Sequence, residues 1–406
     1  MPASTETLAL AKRIYDTSFG NMIYANRPLL GKLNKVKGGG SVFEQSCVYG
    51  ESAGASRTDT VAVTNKARSQ KAKFLIPFGE SYHNAQISSL DQALTANVPK
   101  AAFADALATE IDASVQQAAN DCELGLIRAK GVRGKISSFA TTVITLDNRA
   151  DTKNFFPGQR LVISATPGSA LRNAGAVGTV AGTDEDVGTV RLTVNVATAW
   201  AAAANADVIY QEGDAANAGA EKGTLSLEDW LPLTAPTSGD SFAGGVDRSV
   251  SVTKLAGVRI DARGFTARET MLRLSSRIGE AEGVPDFALV PFSFWETLAL
   301  ELDSKAQTET MGSGNAAQFG YRALKYIGPN SDIMVAPHAR CPGDRIYQLT
   351  MKDWTLAIAG GGLDPVQNPI QNGKIRDTGF GMSIEHMAVV YLACRMPGHS
   401  GVARIA

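Results

Sequence analysis

An α+β body interrupted by a separate all-β insertion is the fold this sequence predicts. A long alanine-rich helix reads from Pro99 to Lys130, short strand patterns punctuated by turn residues fill Arg133 to Asp214, and mixed helix and strand patterns return afterwards. Within the helix, Phe103, Leu107, Ile111, Val115, Ala118, Cys122 and Leu126 recur every three or four residues, while Asp105, Thr109, Asp112, Gln116, Asn120 and Glu123 take the other side. That spacing is one apolar stripe on one straight helix. At 1.5 Å rise per residue it would be roughly 48 Å long, which suits a beam along a large flat body better than the wall of a catalytic cup.

The chain before the helix reads as pieces that cannot fold alone. Ser4 is placed to cap a short amphipathic helix carrying Leu8, Ala11 and Ile14, which Gly20 would stop. The first forty residues hold Lys12, Arg13, Arg27, Lys32, Lys35 and Lys37 against Glu6 and Asp16, a basic arm suited to a groove on a neighbour or to nucleic acid. Lys37 to Ser41, with three glycines, reads as a flexible joint. Val42–Tyr49 and Lys71–Phe78 are extended segments separated by a small, polar stretch, a hairpin too poor in apolar residues to hold its own core. Its cations Arg57, Lys66, Arg68, Lys71 and Lys73 either protect a strand edge or select a partner by charge, and with Phe74 and Ile76 they are the candidate inter-subunit contacts. Lys12, Arg13, Lys35 and Lys37 are the candidates for arm or DNA contact.

In the insertion, Ile136, Val143–Leu146, Leu161–Ile163, Val177–Val180 and Val190–Val194 alternate with polar residues, which predicts about six short strands in a small barrel or sandwich. Asp184-Glu185-Asp186-Val187-Gly188 is a hairpin tip with too few ligands for a calcium loop. Beyond it, Thr266 with Glu269 and Ser293 with Glu296 match the capping box and predict two helix starts. Phe287–Val290, Ile333–Ala336, Arg345–Thr350, Thr355–Ile358 and Met387–Cys394 read as strands.

Composition narrows the function classes. A chain of 406 residues, 44% hydrophobic, buries a full core and divides into two or three domains, and a formal charge of -1 excludes a polyanion coat that works by bulk charge. Cys47, Cys122, Cys341 and Cys394 lie far apart without metal-type spacing, as free thiols do in a reducing compartment. No export signal and no run of eighteen apolar residues is present, so neither secretion nor membrane insertion is expected. Gly38–Gly40 and Gly360–Gly362 lack the Lys-Ser/Thr of a phosphate cradle. The four histidines, His83, His338, His386 and His399, form no metal motif, and only His338 with Cys341 suggests a nucleophile and its base, between Pro337 and Pro342. No metal, no cofactor and no enzymatic activity is therefore expected.

The order of these parts resembles the major capsid proteins of tailed bacteriophages, whose fold is named after phage HK97. The likeness is carried by the helix, by Phe242-Ala243-Gly244-Gly245-Val246-Asp247-Arg248-Ser249, by Leu289-Val290-Pro291-Phe292-Ser293, by Ile346–Leu349 and by Tyr391–Pro397. The insertion, with Phe155–Ile163 and Asp207–Tyr210, is similar to the extra β domain some of those proteins carry after the spine helix. The resemblance implies an N-terminal arm (1–40), an extended loop (41–90), a spine-helix segment (91–132), the inserted barrel (133–214), a connector with peripheral strands (215–265), an axial-type domain (266–375), and a last peripheral strand with the C-terminal tail (376–406). It implies self-assembly into pentamers and hexamers of an icosahedral head around double-stranded DNA, in the virion after assembly in host cytoplasm. A separate scaffolding protein, a portal and a decoration protein are the further partners it suggests. In some relatives loop lysines form isopeptide bonds, a role open here to Lys66, Lys71 or Lys73. The alternatives are an encapsulin-type compartment of the same fold and a hydrolase with an accessory β module.

Overall fold

The computed structural model describes residues 27–51, 56–64, 68–88, 100–193, 200, 202–215, 223–303, 324–359, 371–377 and 381–406. The helix expected after Ser4, Lys12, Arg13, Lys66 and the turn at Gly360–Gly362 lie outside these residues. Helix α1 (Pro28–Lys32) opens on a proline, whose fixed φ and missing N–H suit the first helical position. Strand β1 (Asn34–Gly38) follows, then a turn with Gly40 at φ +89°. Strands β2 (Val42–Gly50) and β3 (Gln70–Pro77) pair antiparallel as the expected hairpin, with helix α2 (Asp59–Thr64) in the chain between them. After β4 (Gly79–Ser88) comes the spine helix α3 (Lys100–Ile127), 28 residues and so roughly 42 Å. It ends before the expected Lys130 because the backbone tightens into a 3-10 turn at Ala129–Gly131, where Gly131 takes φ +74°.

The insertion is a closed barrel. Strands β5 (Gly134–Ala140), β6 (Val143–Leu146), β7 (Arg160–Ser164), β8 (Gly178–Asp184), β9 (Thr189–Leu192) and β10 (Val208–Gln211) pair in the order β10-β5-β6-β9-β8-β7 and back to β10. Closure removes the free edges that a short sheet would expose. Ile136, Ile144, Leu161, Ile163, Val180, Val190, Trp200 and Ile209 fill its interior.

The body that follows is built on two sheets threaded by one chain. Its elements are α4 (Leu227–Trp230), α5 (Val252–Ala256), β11 (Val258–Asp261), α6 (Ala267–Glu280), β12 (Phe287–Val290), α7 (Phe292–Asp303), β13 (Leu324–Ile327), β14 (Asp332–Pro337), β15 (Arg345–Leu349), β16 (Trp354–Ala359), β17 (Gln371–Asp377), β18 (Gly381–Cys394) and β19 (Gly401–Arg404). One sheet has the order β11-β19-β15-β12-β14-β13; the other joins β1, β16, β18 and β17, with β4 along the opposite side of β18. The expected C-terminal tail is therefore no tail, because β19 is held between β11 and β15 on both edges. Likewise the expected loop 41–90 is loop only in part, since β4 pairs with β18 from Gly79 to Ser88.

Thr266 caps α6, its side chain accepting from Glu269 N at 3.2 Å. Ser293 does not cap α7: Pro291 O accepts from Trp295 N at 3.1 Å, so the helix begins at Phe292 and Ser293 lies inside it. Two apolar cores result. One gathers Leu29, Phe74, Trp230, Trp354 and Tyr391, and the other packs Met271, Leu274, Ile278 and Leu298 of α6 and α7 onto the six-stranded sheet.

Candidate assembly surface

The hairpin has two unlike halves. Along β2 exposure alternates, with Phe43, Gln45, Cys47 and Tyr49 half-covered and Val42, Glu44, Ser46 and Val48 exposed, as period-2 side chains require when one face is packed. In β3, Ala72, Phe74 and Ile76 are buried. Phe74 meets Trp230 edge to face at 5.0 Å, and Phe43 and Phe78 each lie 6.2 Å from Tyr391. The free edge of β3 is capped, Leu75 N donating to Ala243 O at 2.7 Å. Gly244, at φ +92°, passes so close that a Cβ there would stand 2.6 Å from that of Leu75. Phe74 and Ile76 are thus buried in the chain's own core. Period-2 alternation signals that a face is covered, but not whose surface covers it.

The distal half is different. Arg57, Arg68, Lys71 and Lys73 are all exposed, and Lys73 Nζ lies 2.8 Å from Glu44 Oε2 across the hairpin. Val48, Val61 and Val63 are 64%, 45% and 51% exposed, and α2 buries no residue. Small and polar neighbours mask these valines in the sequence, where Val48 and the Val61-x-Val63 pair are the available signal. Lys35 and Lys37 lie on β1, which pairs parallel with β16 from Asn34 to Gly38, so this part of the expected arm is an edge strand of the body. Lysines on an edge strand discourage uncontrolled pairing.

Where α3 meets the body, its expected polar face is enclosed. Asn120 and Glu123 are buried along with Ala118, Cys122 and Leu126 of the apolar stripe. Glu123 Oε1 accepts from Leu29 N at 3.1 Å and so caps α1, whose own N-cap residue Arg27 offers no side-chain cap. Arg27 Nε donates to Asn120 Oδ1 at 3.1 Å, His338 Nε2 lies 3.6 Å from Glu123 Oε1, and Arg340 N donates to His338 Nδ1 at 3.2 Å. Burial is the chief influence on the Glu123 carboxyl and pushes it up to about 8, against the pull of the Leu29 and Leu30 amides and of Arg340 and Arg27.

A second buried network fastens the barrel. Arg128 forks onto both oxygens of Asp151 and donates from Nε to Arg340 O at 3.1 Å. Arg133 reaches Asp121 Oδ1 at 3.0 Å and Asn154 O at 3.1 Å. Glu228 accepts from Ala129 N at 2.7 Å and lies 3.2 Å from Arg345 Nη1.

His338 and Cys341 are wholly buried, the Cys341 thiol donates to Leu289 O at 3.8 Å, and burial pushes it far up, so it supplies no thiolate. Among the described residues no group of three His, Cys, Asp or Glu is placed to hold a metal. At the acidic hairpin tip, Asp184 Oδ1 accepts from Asp186 N at 3.0 Å and Val187 N at 3.2 Å, tying it to its own loop. No described helix is long and apolar enough to cross a membrane.

No family model and no curated protein matches the sequence. Among solved structures, a chain of the capsid asymmetric unit of cyanophage A-1(L) is 12% identical, with a TM-score of 0.54 over 96% of this chain and 95% of that one. The capsid of an empty GTA particle is 10% identical, with a TM-score of 0.45 over 96% and 100%. The holo-SrpI encapsulin complex of Synechococcus elongatus PCC 7942 is 10% identical, with a TM-score of 0.39 over 98% and 94%. The cyanophage match establishes a shared fold, the HK97-like capsid fold.

Proposed function

We propose that this chain is a structural shell protein, not an enzyme, which assembles into the pentamers and hexamers of an icosahedral phage head enclosing double-stranded DNA. One observation carries the reading: the fold follows that of a cyanophage capsid chain over nearly the full length of both. The distal hairpin supports it, because the cations Arg57, Arg68 and Lys71 and the valines Val48, Val61 and Val63 are all exposed. A shell repeats each contact many times, so each contact needs only modest strength, and a few exposed apolar and cationic side chains suit that need.

In this reading α3 and the sheet of β1, β16, β17, β18 and β4 form the peripheral domain, and the six-stranded sheet with α6 and α7 forms the axial one. The barrel stands on the outer surface or braces adjacent units. A scaffolding protein, a portal and a decoration protein are the proposed partners, DNA is met by non-specific contact through the basic N-terminal residues, and the virion is the destination after assembly in the host cytoplasm.

Electron microscopy of the overexpressed full chain tests this. Hollow icosahedra, tubes or sheets are expected, and a persistent monomer would sink the reading. Particles from infected cells should contain DNA; particles filled with a protein cargo would overturn the phage-head assignment. Removing residues 41–85, the obvious deletion, is a poor test because it takes Phe74, Ile76 and most of β4 out of the body. Charging the distal valines leaves those parts in place.

A further inference from the structure

One enclosed acid has no part in the assembly surface. Glu123 on α3 is wholly buried, its Oε1 is used by Leu29 N, and its Oε2 has no hydrogen-bond partner among the described residues. The groups facing it come from three elements: Arg27 from the segment leading into α1, Cys122 from α3 itself, and His338 and Arg340 from the loop after β14. Arg27 is committed in part to Asn120 Oδ1 and Gln116 O, and Arg340 in part to Asn120 O. As a neutral acid Glu123 still accepts from Leu29 through its carbonyl oxygen. As an anion it places a charge in an enclosed site with one oxygen unmatched, a state that water entering on the opening of α1 would relieve.

We propose that Glu123 is a proton-sensitive clip by which the spine helix holds the N-terminal segment, tight while the acid is neutral and loosened as it ionises. The clip acts on α1 itself, whose first turn the Glu123 carboxyl caps through Leu29 N.

The sign follows from the two environments. With α1 docked the carboxyl keeps its proton up to about 8, whereas in water it returns to its ordinary value of 4.5. Between those limits opening releases the Glu123 proton, and that acid's own contribution raises the opening equilibrium about tenfold per pH unit; above and below them its contribution is level. Cys122, pushed up to about 12, does not titrate in that window, and arginine side chains as a class carry their charge throughout it.

Hydrogen–deuterium exchange of the amides from Leu29 to Leu33 in the full chain reads this directly and does not depend on whether shells form. From pH 6 to pH 8, protection corrected for the intrinsic exchange rate should fall by up to about 100-fold in the natural protein. Glu123→Gln keeps an acceptor oxygen for Leu29 and should show level protection. Glu123→Met serves as the non-ionisable control should the glutamine variant not fold, and His338→Asn should keep the slope. A level profile in the natural protein, an undiminished slope in a non-ionisable variant, or loss of the slope in His338→Asn overturns the proposal.

Discussion

Replacing Phe74 by alanine separates two accounts of the hairpin. If its inner face belongs to the chain's own core, the change empties a wholly buried site between Trp230, 5.0 Å away edge to face, and Phe242, 6.1 Å away. Loss of a buried phenylalanine costs about 3–5 kcal/mol, within which each aromatic pair accounts for about 0.5–1.5 kcal/mol. At about 2.1 cal/mol/K per residue, the unfolding entropy of 406 residues is about 0.85 kcal/mol/K. The melting temperature of the unassembled subunit should therefore drop by roughly 4–6 °C. Differential scanning calorimetry measures the drop, and tryptophan fluorescence reports it locally through Trp230. A variant that melts within about 1 °C of the natural protein yet no longer assembles would refute the reasoning, because Phe74 would then be finding its cover on another subunit.

Changing Val48, Val61 and Val63 together to aspartate should leave that melting temperature nearly unchanged, since all three are exposed, and abolish closed particles in sedimentation and electron microscopy. Asp151→Asn strands the buried Arg128 charge and should cost about 3–5 kcal/mol, seen as a lower melting temperature and as protease cutting where the barrel joins α3. Gly257 takes φ +78°, and a Cβ there would stand 2.2 Å from Leu231 Cδ2. Gly257→Ala should therefore lower soluble yield and melting temperature more than an alanine at the open Gly245. Thiol titration of the native protein at pH 8 should register slow reaction at Cys47 alone: Cys122 is pushed up to about 12, leaving a thiolate fraction of about 10⁻⁴, and Cys341 and Cys394 are buried and raised as well. Equal reaction of several thiols would contradict the packing around α3 and β18.

How far each feature could be read beforehand depended on the range of the forces behind it. The Thr266 cap, the buried Phe287–Val290 strand and the barrel strands are set by neighbours within a few residues, and the structure has them where the patterns place them. Ser293 failed as a cap because the carbonyl of Pro291 accepted the first helical bond, a choice between two adjacent candidates that no pattern ranks. The pattern at Phe74 and Ile76 is the same whether the hairpin face is covered by Trp230 of the same chain or by a residue of another. Glu123 and Asn120 looked like the wet side of α3, and only the arrival of Leu29, His338 and Arg340 from distant parts of the chain encloses them.

Local periodicity decided the elements and, through their order, the α+β body with its barrel, since amphipathic spacing and turn chemistry act over a few residues whatever lies beyond. Partnership was decided in three dimensions: which side of the spine helix is enclosed where it meets the body, that β1 and β19 are sheet strands and not loose ends, and that the hairpin packs one face on its own body and leaves the other exposed. Burial depends on contacts between residues hundreds of positions apart, and their joint geometry is written in no single stretch of the chain.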